Sequence, residues 1–188
     1  ARLDGEPAFA ELFFDDCRVS IQNLLGEEGE GWKVAMATAS SERGLNLRAP
    51  GRFLAATSRL IDLYKEAIND NPLMPSIIRD QVTEAYVNAQ AYRWQVFQKA
   101  SALMNGDAMG AEASYMKIFW SELDVDIHAT ALRLLADRGE LVGKAPDVQD
   151  EGSWMSGYLF ALAGPIYAGT NEIQRNIVAE RVLGLPRK

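Results

Sequence analysis

The chain has few of the residues that build covalent or metal frameworks. Among 188 residues it has one cysteine, Cys17, and one histidine, His128. A single thiol closes no intramolecular disulfide, and without a Cys/His cluster at ligand spacing a zinc site is excluded. No stretch approaches the ~20 uninterrupted apolar residues of a membrane span. The opening Ala-Arg-Leu-Asp-Gly-Glu has no basic-then-apolar signal pattern. Runs of Lys and Arg are absent too, and the net charge of −7 argues against a surface that tracks nucleic-acid phosphates. There is no internal repeat and no low-complexity tract. These absences leave the expectation of a soluble protein in a reducing, cytoplasmic setting.

What is present is mostly helical periodicity. The length suits one domain with a real core. Residues 8 to 19 alternate weakly around Phe9, Phe13, Phe14 and Val19 and read as one or two short strands. From Trp32 the period turns helical through Met36 and Ala39. It is interrupted at Pro50, where a break or kink is expected, and resumes with Phe53, Leu54, Leu60, Ile61 and Tyr64 until Asn69-Asp70-Asn71-Pro72. A second helix is predicted from about Pro75 to Met104, burying Ile77, Ile78, Val82, Tyr86, Ala89, Trp94 and Phe97. A third runs from about Ala111 to Ala136, with Tyr115, Ile118, Phe119, Leu123, Ile127, Leu132 and Leu135 inward. Gly139 to Ser153 reads as a polar loop. The expected fold is mainly α, an antiparallel four-helix bundle with a short N-terminal β remnant. Residues 1–30 would be the end of a β-domain and its linker, and 31–188 the helical bundle. The strand-like opening and the lack of an initiator Met suggest a piece of something longer.

The closing segment is the most specific. Pro165-Ile166-Tyr167-Ala168-Gly169-Thr170 is a turn opening an amphipathic helix, with Thr170 as N-cap, an apolar stripe of Ile173, Ile177, Val178 and Val182, and Gly184 and Pro186 as stop signals. Free amides at such a helix start would suit a phosphate or pyrophosphate. The wording Tyr-Ala-Gly-Thr-Asn-Glu-Ile-Gln-Arg-Asn-Ile-Val-Ala-Glu-Arg-Val-Leu-Gly-Leu-Pro-Arg over residues 167–187 closely resembles the C-terminal signature of the acyl-CoA dehydrogenases. These are flavoenzymes that oxidise the α,β bond of an acyl thioester. Phe13-Phe14-Asp15-Asp16-Cys17-Arg18-Val19, with Asn23-Leu24-Leu25-Gly26-Glu27-Glu28-Gly29-Glu30-Gly31-Trp32, resembles the same family's passage from its β-domain into its C-terminal helices. The resemblance covers the whole chain but corresponds to only the later part of such an enzyme.

It implies FAD as cofactor, an acyl-CoA substrate, electron-transferring flavoprotein or a similar acceptor, and a homodimer or tetramer. In the commonest family pattern the base that takes the substrate α-proton is a Glu just before the Gly-Thr; here that position is Ala168. In a minority arrangement the base precedes an Arg on the first C-terminal helix, which Ser40-Ser41-Glu42-Arg43-Gly44 matches. Glu42 is thus the candidate base and Arg43 a substrate-pocket contact, against the plainer reading of a solvated helix face. Gly169 fits where backbone comes close to the thioester, and Thr170, Asn171 and Glu172 match the turn that meets FAD, against an ordinary helix cap. Two other flavin-facing stretches of the family are eroded. Lys65-Glu66-Ala67-Ile68-Asn69 stands for Arg-x-x-Phe-Gly, and Leu134-Leu135-Ala136-Asp137-Arg138-Gly139 for Leu-Gly-Gly-x-Gly. His128 reads as a structural imidazole rather than a catalytic one, and Trp32, Trp94, Trp120 and Trp154 as core or subunit-interface residues. Asp124 and Asp126 share no helix face and make a poor metal site. Two rivals stand beside the enzyme: a non-catalytic scaffold subunit of a heteromeric complex, and a helical interaction domain without cofactor.

Overall fold

The computed structural model describes the backbone of residues 2–3, 5, 7, 9–45, 49–107, 110–141, 143 and 145–187, with side chains for all of these except 39–45. Among the described residues it is helical without strands. The expected β remnant is therefore corrected. Residues 9–20 hold no strand, and Phe9, Phe13, Phe14 and Val19 are exposed. A strand needs a partner to complete its ladder, and no described segment supplies one.

The break at Pro50 is where the sequence puts it. Helix α1 (Gly31–Leu45) stops short of it and α2 (Pro50–Asp70) begins on it, because at the first helical position a missing N–H removes no intrahelical bond. Helices α3 (Ser76–Met104) and α4 (Ala113–Leu135) follow across short turns that reverse the chain. Two short helices, α5 (Ser153–Ala161) and α6 (Asn171–Ile177), then pack on α4. Within the interval between the polar loop and the signature, α5 is missing from the sequence reading. Its run Trp154-Met155-Ser156-Gly157-Tyr158-Leu159-Phe160 has no polar face to mark a helical period.

The core lies among α2, α3 and α4. Phe53, Thr57, Leu60, Leu63 and Ala67 of α2 recur every three or four residues and face Val82, Ala85, Ala89, Tyr92 and Val96 of α3. Of the residues expected inside on α3, Val82 and Ala89 are buried and Ile78 packs against the core, whereas Ile77, Tyr86, Trp94 and Phe97 are exposed, which corrects that part of the reading. The helix carries apolar residues on two sides, and the larger side chains lie on the outer one. On α4 the expected Leu123, Ile127 and Leu135 are buried, while Tyr115 is exposed. Phe53 meets Tyr92 edge-on at 5.3 Å and Trp120 at 6.5 Å, joining the three long helices through aromatic rings.

Helix α4 also buries Lys117, Ser121, Asp124 and His128. Asp124 pairs with Arg52 of α2 at 2.6 Å, and His128 Nδ1 donates to the Asp124 carbonyl at 2.7 Å. The imidazole also packs edge-on against Trp154 of α5. A Cβ at Gly157 would come within 2.4 Å of the His128 ring, so the glycine is what lets α5 close over it. His128 thus serves the seating of α5.

Past α4 the chain turns through Ala136 with φ +50° and ψ −130°, a region that a Cβ disfavours. Ala136→Gly is expected to raise stability by about 1 kcal/mol, because release of that strain exceeds the extra entropy of an unfolded glycine. The check is a denaturant midpoint that shifts upward at constant slope.

Candidate functional site

The signature turn is built from its own backbone and then seated on α4. Ala168 and Gly169 both adopt positive φ, +54° and +86°. Gln174, buried on α6, reaches back so that its Nε2 donates to the Ala168 carbonyl at 2.9 Å. A Cβ at Gly169 would lie 2.6 Å from that nitrogen, so glycine is required both for the backbone angle and for the contact. Thr170 caps α6 as expected, its Oγ1 accepting from the Ile173 amide at 3.3 Å.

Two of the first amides of α6 are engaged within the protein. The Asn171 amide donates to Pro165 O at 2.8 Å, and Ile173 is taken by Thr170. The Glu172 carboxyl accepts from its own backbone N–H and from the Thr170 hydroxyl, which together hold it below the usual carboxylate range. Among the described residues the amides of Ala168, Gly169 and Thr170 in this turn donate to nothing. Gly169 is exposed and Thr170 half-buried.

The apolar stripe expected of this helix is only partly covered, with Ile177 and Val178 half-buried. Ile173 and Val182 are half-exposed, at 51% each, whereas Asn171 and Gln174 are buried at 3% and 2%. The carboxamide of Asn171 points into α4. Its Oδ1 accepts from Lys117 Nζ at 2.7 Å, and its Nδ2 donates to Ser121 Oγ at 3.1 Å and to Glu122 Oε1 at 3.3 Å. Glu122 also pairs with Arg175 one turn further along α6. Burial pulls the Lys117 ammonium below its usual pKa, against the charges of Glu172 and Glu122. Helix α6 thus docks through a polar face.

A second region lies at the other end of α4. A cleft of about 360 Å³ is lined by Arg133 and Arg138 above Ala67, Met74, Ile78 and Leu134, with Asp70 at its edge. At ~1.5 Å rise per residue, Lys117 and Leu134 are roughly 25 Å apart along the helix. Gly139 is buried beside it, where a Cβ would press on the Leu132 carbonyl at 3.2 Å. Lys65 is not brought to the cleft lining; it is exposed and pairs with Asp62 at 3.1 Å. Glu42 and Arg43 fall within the helical backbone of α1, and their side chains lie outside the described residues. No group of three or more His, Cys, Asp or Glu that could hold a metal ion occurs among the described residues.

The family model described as "Acyl-CoA dehydrogenase, C-terminal domain" matches residues 29–183. The chain belongs to the acyl-CoA dehydrogenase family. It is 36% identical to acyl-CoA dehydrogenase IpdE1 of Mycobacterium tuberculosis over all of this chain and 46% of that protein. The solved structure titled ChsE4-ChsE5 complex, also from Mycobacterium tuberculosis, superposes with a TM-score of 0.76 at 25% identity, over 94% of this chain and 45% of that one. One titled Tcur3481-Tcur3483 steroid ACAD gives 0.79 at 23% identity over 94% and 45%, a likeness of fold. The chain spans less than half the length of these relatives. Its fold is that of the helical C-terminal domain in a family of flavoprotein oxidoreductases.

Lys117, Ser121 and Glu122 went unread in the sequence. At positions i, i+4 and i+5 of a mostly apolar helix they look like its solvated edge. The signal that could have found them is Lys117 between Met116 and Ile118 in an apolar run, where a cation needs a partner.

Proposed function

We propose that the chain is the C-terminal part of an FAD-dependent acyl-CoA dehydrogenase acting on the α,β bond of an acyl-CoA thioester. The observation that carries the reading is the turn at Gly169 and Thr170. Three successive amides without an internal acceptor, those of Ala168, Gly169 and Thr170, lie there next to a capped, polar-seated helix, at the point where the family signature lies. Glu42 takes the α-proton, since Ala168 cannot, and Arg43 shapes the acyl-thioester pocket. Gly169 lets backbone approach the thioester, and the Thr170-Asn171-Glu172 segment keeps the turn in place for the flavin. The residues present fit such a group. A cleft lined by Arg133 and Arg138 together with Met74, Ile78 and Leu134 offers cations and apolar surface of the kind that a phosphate-bearing aromatic nucleotide needs. When bound, FAD supplies the acceptor for the hydride that leaves the β-carbon. The turn and the cleft lie at opposite ends of α4, which favours a cofactor drawing on two subunits, with electron-transferring flavoprotein or a similar protein accepting the electrons.

A second reading, a non-catalytic subunit that scaffolds a sister chain, is favoured by Ala168 and by a relative solved as a complex of ChsE4 with ChsE5. Flavin content and dehydrogenation by the full-length protein, alone and mixed with sister chains, separate the two. Activity that appears only in a mixture, and survives loss of Glu42, decides for the scaffold.

These 188 residues purified alone are expected to fold, to associate, and to keep little or no flavin. Val87, Trp94 and Phe97 form an exposed apolar stripe on α3, with Arg93 over both aromatic rings. Association through the helices with ~800 Å² or more buried per subunit should give an oligomeric mass in light scattering. A strictly monomeric mass at high concentration, or stoichiometric flavin on the isolated domain, would contradict this.

A further inference from the structure

We infer that Lys117 is the positioning residue of the Ala168–Thr170 turn, orienting its free amides by fixing the Asn171 side chain. The inference rests on the reading of that turn as the flavin- or thioester-facing element.

A terminal helix in a bundle is ordinarily seated by its apolar stripe. Here the residues that α6 buries are Asn171 and Gln174. Gln174 serves the turn itself, through the Ala168 carbonyl. Seating on α4 therefore falls to Asn171, and its carboxamide can face either way unless its neighbours discriminate oxygen from nitrogen. Lys117 and Glu122 do so. An ammonium only donates, so Oδ1 must face Lys117 at 2.7 Å; a carboxylate only accepts, so Nδ2 must face Glu122 at 3.3 Å. Ser121 agrees with them, because its hydroxyl donates to the Ile118 carbonyl at 2.9 Å and its oxygen is left to accept from Nδ2 at 3.1 Å. Asn171 is the first residue of α6, directly after Thr170, so the orientation of its side chain is passed to the backbone that presents the free amides.

The location of the charge supports a positioning role. Lys117 is 4% exposed, and a methionine would fill the same space with no charge to bury. For packing alone the apolar residue would serve as well or better. The ammonium is retained at a cost in desolvation, which its lowered pKa reflects, and what it supplies is the donor that holds Oδ1 of Asn171.

The test uses the full-length protein with Lys117→Met, Asn171→Ala and the double variant. Hydrogen exchange is measured by peptide, with flavin affinity and melting temperature alongside. Lys117→Met should speed exchange at residues 165–175 by about tenfold or more, the scale of one charge-assisted hydrogen bond. Exchange in α2 and α3 should stay unchanged. Asn171→Ala should do the same, and the double variant should add nothing to either single change. Flavin affinity should fall in parallel while the melting temperature barely moves. Unchanged exchange at the turn, or an equal rise throughout the bundle, overturns the inference. Should Lys117→Met fail to fold, Asn171→Ala decides alone, and quiet exchange at the turn in that variant also overturns it. A wild-type protein that takes up no flavin would sink the reading of the turn, while the exchange result would still decide the role of Lys117.

Discussion

Glu42→Gln in the full-length, flavin-loaded protein is expected to slow flavin reduction by ~10²–10⁴-fold, the usual loss when a general base is removed. The carboxamide keeps the shape of the side chain and loses the basicity of the carboxylate that accepts the α-proton. The turn offers no substitute, because Ala168 has no titratable group and the Glu172 carboxyl is engaged with its own amide and the Thr170 hydroxyl. The effect should fall on kcat with KM nearly unchanged, since the group acts in the transition state rather than in binding. Flavin content should match the wild type. Reduction at a near-normal rate would remove Glu42 from the chemistry and raise the scaffold-subunit reading in its place.

Elements with a strong period or an unambiguous stop signal were legible before any coordinates. Pro50 at the start of α2, Asn71-Pro72 after it, Thr170 as the cap of α6 and the three long helices are where the residues put them. Local chemistry decides such features. What was not legible depends on which of several apolar faces the tertiary fold selects. Helix α3 offers two, and the expected set mixes them: Val82 and Ala89 pack inward with Ala85, Tyr92 and Val96, whereas Trp94 and Phe97 lie on the outer face. Helix α5 has no polar side to give a period, so it passed unseen. At the candidate site, sequence supplied the turn and its glycine but not its seating. The partners Lys117 and Asn171 are 54 positions apart, and a polar docking face is invisible to hydrophobic periodicity. The tryptophans show the same limit most sharply, because one residue type occupies opposite environments.

Trp120→Ala is the substitution expected to cost most in stability, about 3–5 kcal/mol as for a fully buried large aromatic. The indole is wholly buried, lies 6.5 Å from Phe53 of α2 and 6.0 Å from Tyr167 just before the signature turn. Its removal therefore opens a cavity between two long helices and the segment that leads into Ala168 and Gly169. Gly164 packs close beneath it, with Ala161 O and Ser121 already within 3.3 Å of where a Cβ would sit, so the backbone has little room to collapse into the gap. For a domain of this size the melting temperature should fall by roughly 6–20 °C. The turn should loosen with it, because Tyr167 loses the ring it rests on. Trp94→Ala provides the contrast. That indole is 63% exposed on the outer face of α3, and its loss should change stability by no more than ~0.5 kcal/mol when compared in the same association state. Equal losses at the two positions would mean that the α3 face is part of the folding core, contrary to the packing described for this bundle.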